Sequence, residues 1–503
     1  MKLGEIIYEN EYSCDKSVQN LDVLRISTST DTIDSETVFV VIRSIKFDVT
    51  KIINYVLNQR PAAIICDREL EVDSDTIPIL RTENTRTLLP YFYSRYYEVD
   101  FNKMRFIGIT GTNGKTTTAT MLSHILSYAE RSVGFIGTGK ILINGKQISE
   151  KQYSMTTPDP ELLYRTIRKM QDSGCEFVVM EVSSHALYFE KVAPIPFNVS
   201  VFTNLSPEHM DFHKNIDDYY ACKNKLFKQT DIGIFNMDDE YSAKAATDCK
   251  AKKRCIGIIQ NADIVARDVA MHGLDGSEYI YRESHRLFKV KLRFGGAYNI
   301  YNSMMAIAAS IELGIKPCIA KEAISRLASI DGRLEIIRDD ITVIIDYAHT
   351  EAAMGNVLKF INSIKKPEQK LITVFGCGGE RDHMKRPKMA EIAESFSDFV
   401  IVTTDNSRGE SEADIIKDIL CGFRSTERRK VITSREAAIE QAILSANAGD
   451  IIALIGKGHE RYNIDKSGCH DFDEKEIINR ALKKRKAGQK ESNEDNSEAF
   501  ANT

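Results

Sequence analysis

Short apolar runs, each closed by a polar turn and followed by a stretch with helical spacing, recur along most of this chain. Continuous apolar runs predict strands buried on both faces of a parallel sheet, and the helical stretches between them predict crossovers. Runs at 37–42 and 62–66 flank a helical stretch at 49–59. A second group begins at Phe106 and continues at 177–180, 198–203 and 232–236. After Asp331-Gly332-Arg333 the pattern restarts with 343–346, 371–375, 399–403 and 451–455. The fold class is therefore α/β in three domains: a small N-terminal α/β unit over 1–100, a central doubly wound domain over 101–333, and a C-terminal Rossmann-like open sheet over 334–482. From Lys483 to Thr503 the apolar residues run out behind Lys-Lys-Arg-Lys, which predicts a disordered tail with a solvated basic cluster.

A length of 503 residues exceeds what one hydrophobic core serves, in keeping with three domains. The 43% hydrophobic and 28% charged content is that of an ordinary globular protein, and no apolar stretch is long enough to span a bilayer. Acidic and polar residues come too early at the N-terminus for a secretory signal. Ten cysteines without C-x-x-C spacing fit reduced thiols, so a cytoplasmic protein is expected. A net charge of -5 argues against nucleic acid as the main partner.

The segment Phe-Ile-Gly-Ile-Thr-Gly-Thr-Asn-Gly-Lys-Thr-Thr-Thr (106–118) has the layout of a phosphate-binding loop, a strand turning through glycines into a helix. Gly111, Thr112, Asn113, Gly114, Lys115, Thr116 and Thr117 are the expected cradle for ATP. Backbone N–H groups and the helix N-terminus would meet the phosphates, Lys115 would neutralise their outer oxygens, and the Thr116 hydroxyl would hold Mg²⁺. The general pattern places its first glycine where Ile109 stands, so a narrower variant is present.

Other candidates sit at strand ends, where ligands gather in open α/β sheets. Glu181 ends the run Val178-Val179-Met180 and either completes the magnesium shell with Thr116 or caps the strand facing water. His209 and His213 follow the next strand. Such histidines are more often structural, and they matter only beside a second metal or a phosphate.

Taken in order, Thr-Gly-Thr-Asn-Gly-Lys-Thr (110–116), Thr-Thr-Pro (156–158), Glu-Val-Ser-Ser-His-Ala-Leu (181–187), Thr-Asn-Leu (203–205), Tyr-Asn-x-x-Asn (298–302), Asp-Gly-Arg (331–333), Asp-Tyr-Ala-His (346–349) and Gly-Lys-Gly-His-Glu (456–460) resemble the Mur ligase family. The similarity is greatest to members that add the third residue to UDP-N-acetylmuramoyl-dipeptide. It implies an ATP-dependent amide ligase of peptidoglycan precursor synthesis, which forms an acyl phosphate that an amine then attacks. By this resemblance Thr116 and Glu181 hold one magnesium ion, while His209 and a carbamylated Lys223 bind a second. Lys115, Lys223, His209 and Arg333 become the catalytic set, with Asn302, Arg333 and Asp346 on the nucleotide. Thr156, Thr157, Ser183 and Lys191 are expected at the muramoyl-peptide, and the N-terminal unit at UDP.

For the amine, diaminopimelate-adding members carry Asp-Asn-Pro-Arg, and the corresponding positions here read Asp405-Asn406-Ser407-Arg408. A guanidinium can pair bidentately with the distal carboxylate of meso-diaminopimelate, a group that lysine lacks. Arg381, Gly456 and Glu460 match further members of that pocket. Lys191 stands where the family usually has arginine, Glu351 where it has proline, and the N-terminal region carries only a worn version of the uridine signatures. An alternative is a relative using another carboxylate or amine, such as a lysine-adding or folylpolyglutamate-like ligase. A nucleotide-binding switch lacks support, because no Asn-Lys-x-Asp is present. A monomer without nucleic-acid or membrane partners is expected.

Overall fold

Three parallel-rich sheets follow one another along the chain in the computed structural model, which describes residues 1–14, 17–42, 52–70, 76–148 and 155–501, with side chains as far as residue 488. The first joins Arg25–Ser27, Thr37–Val40, Ala63–Cys66 and Ile79–Arg81, all parallel. The expected helix at 49–59 appears as Ile53–Asn58, and its first residues, 49–51, lie outside the described residues.

The central sheet has 11 strands among the described residues. At its middle, Arg105–Thr110 lies between Phe177–Glu181 and Phe197–Phe202, parallel to both. These strands are buried on both faces, which is why they read as unbroken apolar runs. Helices Lys115–Tyr128 and Ala297–Glu312 share one face, with Met121, Leu122 and Ile125 packed in the same core as Met304 and Ile307. The antiparallel meander Ile264–Met271, Ser277–Glu283, Arg286–Leu292 at one edge and the hairpin Lys140–Ile143 with Lys146–Gln147 at the other were not foreseen from sequence. The outer meander strands and the hairpin strand Lys140–Ile143 lack regular alternation, and Ser277–Glu283 alternates with Ser, Tyr, Tyr and Glu at its buried positions, which do not read as an apolar series.

The third sheet orders Glu335–Arg338, Thr342–Asp346, Ile451–Ile455, Leu371–Phe375, Phe399–Val402 and Arg429–Val431, antiparallel only at its first pair. The three-part α/β organisation read from the sequence is thus the observed one.

The expected tail is different. Helix Glu474–Ala501 runs straight through the boundary at Lys483. Ile478, Ala481 and Leu482 pack against Ala438, Ile439 and Ala442, and Arg485 falls on the same face at helical spacing. The residue is 7% exposed, its guanidinium donating to the Asp340 carboxylate at 2.9 Å and to the Ile443 and Ala446 carbonyls. Lys484 and Lys486 pair with Glu440 and Asp339. The basic run is therefore matched by acids of the domain it covers, a complementarity invisible in the run itself. At the helix start Glu474 accepts from Arg435 at 2.7 Å, and both side chains are buried. Glu474→Ala leaves that guanidinium unpaired in the interior and is expected to lower unfolding free energy by about 3 kcal/mol, read as a lower urea midpoint.

Candidate active site

Gly111 and Gly114 take φ of +137° and +84°, so both sit where side chains are strained. A Cβ on Gly111 would lie 1.9 Å from Thr203 Oγ1, and one on Gly114 2.5 Å from Asn302 Oδ1. The next strand end holds the loop: the Asn113 N–H donates to Asn204 Oδ1, and Thr203 Oγ1 donates to the Asn113 carbonyl at 2.6 Å. Thr112 is buried and accepts from the Ser206 N–H. Lys115 folds back over the loop, donating to the Gly111 and Thr112 carbonyls at 2.9 and 2.8 Å.

Glu181 is completely buried, which rules out the water-facing strand cap. Its carboxylate accepts from Thr116 Oγ1 at 3.0 Å, the Thr138 N–H at 3.1 Å and Thr138 Oγ1 at 3.2 Å. Arg333, at the junction of the second and third domains, donates to Thr116 Oγ1 at 3.1 Å, its guanidinium 4.4 Å over the Tyr347 ring. Two hard oxygen donors in contact at a helix N-terminus suit Mg²⁺. Thr138 escaped sequence reasoning because nothing marks its turn as special.

Thr156 and Ser183 line the cavity beside this group, and Thr156 Oγ1 meets Thr138 Oγ1 at 3.1 Å. Thr157, expected at the substrate, is turned inward instead. Its hydroxyl donates to the Glu181 carbonyl and accepts from the Ser183 N–H, so it braces the strand end. Lys191 also departs from expectation, since its ammonium is 2.6 Å from Asp159 and it lines neither cavity described here.

Opposite Glu181 stand His209 and Lys223. His209 has φ +58° and is held neutral, its pKa pushed down to about 4 by burial above all, against the pull of Glu208. Lys223 is 1% exposed, and its one hydrogen-bond acceptor among the described residues is the Gly111 carbonyl at 2.9 Å, the oxygen that Lys115 also uses. Burial first and the Lys115 charge second push its pKa well below the ordinary lysine value. An ammonium with three donors fits this place poorly, whereas a neutral amine ready to combine with carbon dioxide fits well. Glu208, next to His209 in the chain, is buried and accepts from His349 Nε2 at 3.1 Å across the domain boundary. Although burial alone would raise it, His209, His349 and Lys385 hold its carboxyl well below the usual range.

On the far side of the loop a second cavity of about 260 Å³ is lined by Asn113, Gly114, Thr117, Asn302, Arg333 and Asp346. Asn302 Oδ1 accepts from Thr118 Oγ1 at 3.3 Å. Asp346 spends both oxygens on backbone, accepting from the Leu334 and Ala348 N–H groups, and so shapes the turn carrying Tyr347 and His349.

The amine-side residues come from the carboxyl ends of the third sheet. Arg408, at φ +51°, donates through Nη1 to the carbonyls of Gly379 and Asn406 at 2.8 and 3.2 Å. Arg381 faces the same cavity, its proton affinity lowered by the surrounding protein and then by Arg408. Asn406 donates to Glu460 Oε2 at 2.8 Å, and Gly456, at φ +115°, would place a Cβ 3.2 Å from Asp405 Oδ2. Beneath them lies a residue the sequence reading passed over inside a motif it quoted. Lys457 is fully buried, 3.5 Å from Asp405 and 3.1 Å from Asn406 Oδ1. It compensates two acids at once: Asp405 is held below its ordinary pKa despite burial, while burial and then Asp405 push Glu460 up.

Thr116, Glu181, His209, Lys223, Arg333, Arg381, Arg408 and Glu460 all face one cavity of about 600 Å³. Such a site sets phosphate-handling groups across from a pocket with two guanidiniums and a carboxylate, which is suited to an amino acid. Two domain families match the chain: the Mur ligase middle domain over residues 109–310 and the Mur ligase glutamate ligase domain over 332–458. The UDP-N-acetylmuramoyl-L-alanyl-D-glutamate--2,6-diaminopimelate ligase of Clostridioides difficile (strain 630) is 37% identical over 491 residues, covering 96% of this chain and 100% of that protein. A solved structure of a ligase of that name superposes with a TM-score of 0.67 at 26% identity, over 96% of this chain and 99% of the other. The MurF ligase of Thermotoga maritima, crystallised with ADP, shares the fold with a TM-score of 0.60 at 18% identity, over 92% and 98% of the two chains.

Proposed function

Since this chain belongs to the Mur ligase family, we propose that it joins 2,6-diaminopimelate to UDP-N-acetylmuramoyl-L-alanyl-D-glutamate with cleavage of ATP to ADP and phosphate. It is an ATP-dependent ligase of peptidoglycan precursor synthesis. The observation that carries the substrate assignment is the single cavity holding Lys115 and Glu181 on one wall and Arg408 and Glu460 on the other.

The chemistry starts with two anions that repel. An oxygen of the glutamyl carboxylate attacks the γ-phosphorus of ATP, the bond from that phosphorus to the β-bridging oxygen breaks, and ADP leaves. Lys115 and Arg333 supply fixed positive charge where the phosphoryl oxygens gather, and the N–H groups freed by Gly111 and Gly114 add to it. The diaminopimelate nitrogen then attacks the acyl carbon, the carbon–oxygen bond to phosphate breaks, and the amine proton passes to solvent. Thr116 and Glu181 are the residues suited to hold one Mg²⁺, and His209 with a carbamylated Lys223 a second. When bound there, magnesium neutralises the phosphate oxygens. His209 is already neutral, as a ligand must be.

Arg408 and Arg381 take the distal carboxylate of diaminopimelate, and Glu460 with Asp405 its distal ammonium. Asn302 lies on the adenine side and Asp346 behind it. Thr156 and Ser183 meet the muramoyl-peptide arm, which leaves the N-terminal unit for UDP. On the same proposal the enzyme is a cytoplasmic monomer, and no helix among the described residues is long and apolar enough to cross a membrane.

A phosphate-release assay tests this, using ATP, the UDP-muramoyl-dipeptide and either meso-diaminopimelate, L-lysine or no amine. Release is expected only with diaminopimelate, to be lost on chelation with EDTA and restored by Mg²⁺. Equal release with lysine would place the chain among the lysine-adding relatives, and release needing neither acid nor amine would reject ligation.

A further inference from the structure

His459 lies within the segment that presents Glu460 to the amine pocket, yet its ring points away from that pocket. It is half-buried, and Nε2 lies 3.0 Å from the carbonyl oxygen of Thr138, 321 residues away in the central domain. Since a carbonyl only accepts, Nε2 carries the proton. Thr138 is the residue whose N–H and hydroxyl both grip Glu181. One threonine therefore holds the metal-binding carboxylate on one side and the amine-binding segment on the other.

The backbone around His459 is equally constrained. A Cβ on Gly332 would lie 2.2 Å from the His459 backbone nitrogen, and one on Gly458 2.6 Å from Tyr347 Cβ, so the segment bearing Arg333 and the segment bearing Glu460 touch without room for a side chain. Tyr347 closes the circuit, with its ring 5.1 Å from that of His459 and its hydroxyl donating to Glu460 at 3.3 Å.

We infer that His459 is a positioning residue, whose hydrogen bond to Thr138 sets the amine pocket in register with the Thr116–Glu181 group when the second and third domains meet. The inference rests on the ligase activity proposed above and deepens it: His459 acts at the aminolysis half of the reaction and not at activation of the carboxylate. A fraction of an ångström in the approach of nitrogen to the acyl carbon is costly, whereas the reacting carboxylate and the ATP phosphates meet Lys115, Thr116 and Glu181 of the central domain.

Three variants separate this role from simple packing. His459→Phe keeps a ring but loses the donor, His459→Gln reaches a donor to the position of Nε2, and His459→Asn is too short. Two rates are read for each: exchange of the β,γ-bridging oxygen of ATP with the UDP-dipeptide and no amine, and kcat/KM for diaminopimelate from phosphate release. For the Phe and Asn variants kcat/KM is expected to fall by about tenfold or more while exchange stays within about twofold of wild type, with Gln recovering most of the loss. Equal falls in exchange and aminolysis, no fall at all, or Gln no better than Asn would overturn the role. Should Phe fail to fold, the Gln–Asn comparison decides alone. A wild-type protein that shows no diaminopimelate-dependent release defeats the ligase proposal itself and is distinguishable from all of these.

Discussion

Lys115→Ala is expected to lower ATP-dependent phosphate release by about a thousandfold or more while leaving the melting temperature unchanged or slightly raised. The Lys115 ammonium is the loop's own charge, resting on the carbonyls of Gly111 and Thr112 and, among the described residues, on no acid within ion-pair distance. Burial already lowers its proton affinity, a cost that a polyphosphate would recover. Removing one preorganised charge from a developing phosphoryl transfer costs about two to three orders of magnitude, and here it also serves initial binding. Folding should not suffer, because the same ammonium depresses buried Lys223 by repulsion and alanine relieves it. Phosphate release together with a thermal melt checks both halves. Retained turnover would remove Lys115 from the phosphate site, and collapse of the fold would show that its two carbonyl contacts matter more than its charge.

The second large effect is expected from Arg408→Lys, which should raise KM for diaminopimelate by about a hundredfold and leave KM for ATP within about a factor of two. One guanidinium nitrogen of Arg408 already ties the carbonyls of Gly379 and Asn406, and the rest of the fork remains for the substrate. A lysine ammonium can hold the loop or the distal carboxylate but has no planar fork with which to do both. The positive φ of Arg408 costs either side chain the same, so the substitution isolates the head group. Initial rates over a grid of ATP and diaminopimelate concentrations separate the two constants, and equal rises in both would take Arg408 out of the amine pocket.

The nucleotide side was the more legible part of the sequence, because its chemistry is local. Gly111, Gly114, Lys115 and Thr116 fall within six residues, and each glycine proves to stand where the backbone turns through positive φ. The strands around them are buried on both faces and announce themselves as apolar runs. What escaped depends on partners far along the chain. Lys457 reads as one more lysine until the fold sets it under Asp405 and Asn406, and Glu208 until His349 arrives from the next domain. Arg485 looked solvated because its acceptors, Asp340, Ile443 and Ala446, lie 39 to 145 residues away. Thr157 and Lys191 show the converse: their types suited a ligand, but nearer partners in the protein claimed their polar atoms.

The cavity's two walls come from different sheets. Lys115, Thr116, Glu181, His209 and Lys223 lie at strand ends, loops and helices around the central one, while Arg381, Asp405, Arg408 and Glu460 lie in loops after strands of the other. Acceptor preference and the means of activating an acid are therefore inherited on separate stretches of polypeptide. A lineage can drift from one diamine to another by changes near residues 378–408 and 456–460 alone, without passing through ancestors unable to spend ATP.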